Sequence, residues 1–157
     1  MLIIADQRIP IHAREALEKF GELQLLKTTG ITYEAISGHP DIFLCSVKNQ
    51  LVIAPNLGQP FKDLFHQKGI KFVSGEMPVG EKYQATASYN VVCTEKYLLH
   101  NFRYTDSAIT NLSDDLELVH LNQGYSRCNL IPLRKDHFIT SDEGIYRVLN
   151  NYKLNTG

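Results

Sequence analysis

The sequence predicts an α/β fold made of one unit, strand–strand–helix–strand, copied along the chain. Three observations predict it. Apolar runs over residues 2–6, 51–56, 97–101 and 137–142 recur, and aligning Ala5, Ala54, His100 and Thr140 gives spacings of 49, 46 and 40 residues. Each run leads into a stretch with apolar residues at 3.6-residue spacing, then into a second apolar run. A further apolar run precedes copies two, three and four across a short polar turn, which is the pattern of a hairpin.

The elements follow in order. In the first copy a strand over 2–6 leads to a helix over 7–20 and a strand over 22–26. Ala13, Ala16, Leu17 and Phe20 share one helical face, Pro10 sits near the helix start, and Gly21 stands where a helix-ending glycine belongs. The second copy opens with a strand over 41–46, turns at 47–50, and continues as a strand over 51–56, a helix over 57–68 and a strand over 70–74. Here Phe61, Leu64 and Phe65 form the apolar face, with Pro60 near the start and Gly69 past the end. The third copy reads as a strand over 89–93, a turn at 94–96, a strand from 97, a helix over 102–113 and a strand over 116–120. The fourth has a strand over 128–133, a turn at 134–136, a strand from 137 and a helix over 143–152 with Ile145, Val148 and Leu149 inward. Ser141 and Asp142 are natural N-caps for that last helix. The first copy lacks its first strand and the fourth its last, so about three and a half units are expected. Such an array is incomplete as a ring and leaves a sheet edge through which a homo-oligomer would form.

Composition limits the function. A chain of 157 residues, 43% apolar and 21% charged, is expected to form a single domain over 1–157, or the N-terminal part of one. The formal charge is −1 and the pI about 6.6, with no basic half or stripe, which argues against nucleic acid as partner. No apolar stretch approaches the ~20 residues that span a bilayer. The N-terminus does not read as a signal peptide, so a cytoplasmic protein with no membrane partner is expected. Cys45, Cys93 and Cys128 form no close pair, which fits neither a disulfide framework nor a zinc site. No phosphate loop or dinucleotide fingerprint occurs, so no cofactor and no metal are expected.

The repeat resembles that of the pentein, or guanidino-group-modifying-enzyme, α/β-propeller. The stretches His39-Pro-Asp-Ile-Phe-Leu-Cys45, Tyr89-Asn-Val-Val-Cys93, Gly124-Tyr-Ser-Arg-Cys128 and Ile139-Thr-Ser-Asp-Glu-Gly-Ile145 are similar to those of a bacterial family of unknown function assigned to that fold. The resemblance implies chemistry on a guanidino or amidine compound, as a hydrolase or transferase, with a cysteine, a histidine and acidic residues that hold the cation. Its alternative is a non-catalytic interaction module, or a degenerate relative that has lost activity.

In a ring of such units, the junctions before the first strands converge. That places His39, Asp41, Asn90 and Cys128 around one cavity. Cys128 is the candidate nucleophile, which needs a lowered pKa from His39 or Arg127. His39 is the candidate general acid/base, and Asp41 pairs with the cation. The bland readings stand beside these: Cys128 as a small buried residue opening a strand, and Asp41 as the anchor of an Asx turn. Cys45 and Cys93 read as core filler, and His100 as a satisfied core histidine. Asn90, Asn101 and Asp142 are candidate substrate contacts, though Asn101 and Asp142 share with Asp6 and Asn56 a strand-to-helix junction where capping is the plainer role.

Overall fold

The computed structural model describes residues 1–134 and 136–157; Lys135, in the turn expected over 134–136, lies outside them. Among the described residues, four small sheets follow one another along the chain. In the first, β1 (Leu2–Asp6) runs parallel to β2 (Glu22–Leu26), with α1 (Ile11–Glu18) as crossover. The second opens with a helical turn, α2 (Pro40–Phe43). Then β3 (Leu44–Val47) pairs antiparallel with β4 (Gln50–Ile53), and α3 (Gln59–Gln67) crosses to β5 (Phe72–Ser74), parallel to β4. The third repeats this order with α4 (Tyr83–Ala87), β6 (Val92–Cys93), β7 (Tyr97–His100), α5 (Ser107–Asn111) and β8 (Glu117–His120). The fourth repeats it again with α6 (Ser126–Asn129), β9 (Leu130–Arg134), β10 (His137–Thr140), α7 (Glu143–Asn151) and β11 (Asn155–Thr156). The protein is therefore a mixed α/β structure of repeated small sheets, and among the described residues no sheet closes into a barrel.

Three expectations need correcting. The fourth copy does have its last strand: β11 pairs in parallel with His137 and Phe138, and two residues are too few to give a periodic signal. The junctions before the first strands are not extended. Residues 40–43 and 126–129 are single helical turns, so Asp41 and Cys128 sit on helices where strands were expected, and only from Leu44 and Leu130 does the chain become extended. Gly21 does not end α1 in a left-handed conformation, since only Gly30 and Gly69 among the glycines have positive φ. It is needed for close approach, because a Cβ there would lie 2.3 Å from the Met1 carbonyl oxygen. The helix stops at Glu18, which leaves Phe20 off the predicted face and 71% exposed.

The core lies between the sheets. One cluster joins Leu26 of the first unit to Phe43, Val52 and Phe65 of the second and to Tyr89, Leu98 and Ile109 of the third. The other joins Tyr97, Leu99 and Val119 of the third to Leu130, Phe138 and Leu149 of the fourth. Successive side chains of β7 thus enter different cores, Leu98 one and Leu99 the other, as period-two alternation requires of a strand covered on both faces. Stacking the sheets in this way brings the chain ahead of each first strand to a common place.

Candidate functional site

Asp41, Asn90 and Cys128 meet, although they are far apart in sequence. The Asn90 amide nitrogen donates to Asp41 Oδ2 at 2.8 Å and lies 3.4 Å from Cys128 Sγ. The thiol donates to the same Asp41 oxygen at 3.1 Å. Asn90 Oδ1 accepts the backbone N–H of Arg127 at 2.8 Å and of Cys128 at 3.4 Å. Those backbone donors fix which way the amide faces: its oxygen turns to α6, so its nitrogen turns to Asp41. Asn90 is fully buried, Asp41 half-buried and Cys128 exposed. The arrangement is a buried amide clamping a carboxylate and a thiol that both reach the surface.

Burial, followed by the charge and hydrogen bond of Asp41, pushes the Cys128 thiol up to about 11. A carboxylate beside a thiol disfavours the thiolate, while Asn90 and Arg127 act weakly the other way. Cys128 is therefore a protonated donor in the free protein, whereas a nucleophile needs a lowered pKa. Burial raises the other two thiols as well, Cys45 to about 12. Cys45 is buried and Cys93 packs half-buried against the same core, in keeping with their reading as filler.

His39 stands on the other side of Asp41 in sequence and faces the first unit. Its Nε2 is 3.8 Å from Asp6 Oδ2, and no hydrogen bond joins it to Cys128. Asp6 ends β1 and is held by Arg8, whose Nε and Nη2 donate at 3.0 and 2.5 Å. The Arg8 guanidinium keeps the Asp6 carboxyl below its usual range. The same guanidinium binds the carbonyls of Glu34 and Ala35 at 2.5 and 3.1 Å, and so ties the loop that leads to His39 down onto β1. Gly38 is required at this crossing, since a Cβ would fall 2.5 Å from the Asp6 carboxyl carbon. Asp6, Asp41, Asn90 and Cys128 thus come one from each unit. Among the described residues no group of three or more His, Cys, Asp or Glu gathers closely enough to hold a metal.

The remaining candidates are occupied locally. Asp142 caps α7, accepting the Ile145 N–H at 2.9 Å. Asn101 donates to the Asn122 carbonyl at 3.1 Å and accepts the Arg103 N–H, and Asn56 likewise binds both N–H and carbonyl of Val79. These asparagines pin the loops that leave the second and third units, and neither Asn101 nor Asp142 bonds to the Asp41–Asn90–Cys128 cluster. His100 is buried, with Nε2 donating to the Gly124 carbonyl at 2.7 Å and Nδ1 2.6 Å from Thr105 Oγ1.

Two features escaped the sequence. Asp106, fully buried, accepts from the N–H groups of Ala108, Glu76 and Met77 and from the Tyr89 hydroxyl, all at 2.8–3.0 Å. An Asp just ahead of Ser107 was a readable cap signal, but its long-range partners were not. Tyr33, Tyr83, Tyr104 and Tyr125 gather into one group, with Tyr125 at the N-cap of the helix that carries Cys128. Tyr33, Tyr83 and Tyr125 each precede a junction, and only that regularity could have flagged them.

Comparison with known families gives one finding: the model of a family of unknown function, DUF6873, matches residues 4–156. No curated protein matches the chain.

Proposed function

The chain belongs to DUF6873, a family of unknown function, and from the cluster just described we propose a pentein-like α/β-propeller that acts as a hydrolase or transferase on a guanidino or amidine compound. The repetition of one ββαβ topology supports the fold reading. The observation that carries the chemistry is the contact of Cys128 Sγ with the Asp41 carboxylate at 3.1 Å, held by buried Asn90.

A planar cation bound on Asp41 pairs with that carboxylate and puts positive charge beside the sulfur. Both changes lower the thiol pKa just when substrate is present. The thiol proton leaves to solvent and the thiolate forms a bond to the central carbon. The C–N bond to the leaving amine then breaks, the amine taking its proton from water, since the His39 ring is turned towards Asp6. The resulting amidino-enzyme gives its carbon to water in a hydrolase, or to an acceptor amine in a transferase.

The second reading, a non-catalytic module or degenerate relative, is favoured by the same thiol being held protonated and tied into a lock between units. Alkylation with iodoacetamide, mapped residue by residue, separates the two. The catalytic reading expects an arginine analogue to protect Cys128 from alkylation, with Cys45 and Cys93 slow throughout. Slow, equal modification of all three, insensitive to the analogue, would leave only the module.

A further inference from the structure

We propose that the tyrosine cluster beside Cys128 binds the substituent of the cationic compound, and that this substituent is a flat aromatic ring, making the ligand an aryl guanidine or aryl amidine. The inference rests on the reading of Cys128 and Asp41 as a guanidino site. Each of the three segments that deliver a polar group to the cluster also delivers a tyrosine: Tyr33 ahead of Asp41, Tyr83 ahead of Asn90, and Tyr125 ahead of Cys128. Tyr125 stands at the N-cap of α6, three residues from Cys128 and hence one helical turn away.

The hydroxyls are already engaged. Tyr33 and Tyr125 hydroxyls lie 2.9 Å apart, Tyr125 meets Thr86 Oγ1 at 2.6 Å, and the Tyr83 oxygen accepts the Gly124 N–H at 3.0 Å. The Tyr83 ring stands edge-on to Tyr125 and Tyr104 at centroid distances of 5.3 and 5.8 Å. This network fixes the rings in place and leaves ring surface, not polar groups, to offer. Tyr33 and Tyr83 keep 44% and 43% of their surface open. A rigid, open aromatic wall whose Tyr125 stands one turn from Cys128, the thiol that touches the Asp41 carboxylate, suits a delocalised cation continuous with a ring, through offset or edge contacts and cation–π attraction.

The test uses the full chain and iodoacetamide, with phenylguanidine and methylguanidine as protecting probes. Phenylguanidine is expected to protect Cys128 at about tenfold lower concentration than methylguanidine, the size of one good aromatic contact. Tyr33→Leu and Tyr83→Leu should each erase most of that difference, whereas Tyr33→Phe, which keeps the ring, should preserve it. Circular dichroism checks each variant. If Tyr83→Leu does not fold, exposed Tyr33→Leu and saturation-transfer NMR on the phenyl protons of the unmodified protein's ligand carry the test. Equal protection by both probes, or a preference that survives the leucine variants, overturns the aromatic subsite while the guanidino reading stands. Protection by neither overturns both.

Discussion

Cys128 and Asp41 share a proton-sensitive contact whose strength sets when the thiol can react. Replacing the carboxylate removes the charge and the acceptor that hold the thiol at about 11. Asp41→Asn should therefore lower the midpoint of the alkylation pH profile by about one unit, making alkylation at pH 8 about tenfold faster. The same variant should lose protection by guanidinium compounds. A profile that does not move would mean that burial alone sets the thiol. His100 makes a second prediction. Burial lowers its pKa to about 4, against 6.5 in an unfolded chain. Below pH 6.5 the unfolded state takes up a proton that the folded state refuses. Stability should thus be full above pH 6.5 and fall by about 3 kcal/mol as pH drops towards 4. Urea titrations across this range check it, with His100→Gln flattening that part of the curve. Of these two residues, His100 was legible as a core histidine from its place at a strand end. The pKa of Cys128 was not legible in the sequence, because the neighbour in space that acts on it most is Asp41, 87 residues away.

At the level of elements, two helices end alike with different residues. After α3 the N–H of Gly69 bonds to His66 and that of Ile70 to Phe65, with Gly69 at φ +67. After α7 the N–H of Lys153 bonds to Asn150 and that of Leu154 to Leu149, with Lys153 at φ +56. Glycine adopts this left-handed conformation freely, while a lysine pays for its Cβ. Lys153→Gly is expected to stabilise the protein by about 1 kcal/mol and Gly69→Ala to destabilise it by a similar amount. Thermal or urea unfolding of both variants measures it. The long helices were readable because Phe61, Leu64 and Phe65, or Ile145, Val148 and Leu149, repeat with the helical period. The one-turn helices α2, α4 and α6 were not, because four or five residues cannot display a period.

Across the whole molecule, the order strand–strand–helix–strand was legible because each segment carries its own pattern of apolar residues. The meeting of Asp41, Asn90 and Cys128 was foreseen only from the logic of repetition, since no local signal links positions so far apart. The tyrosine cluster needed the assembled units to be seen. The Asn90 clamp carries a consequence for how the protein opens. The Arg127 amide is capped by the carbonyl and the side chain of Asn90, so a proton on it can escape only when the third and fourth units part. In deuterated solvent this one amide should act as a slow clock for inter-unit breathing, and Asn90→Ala should set it running fast.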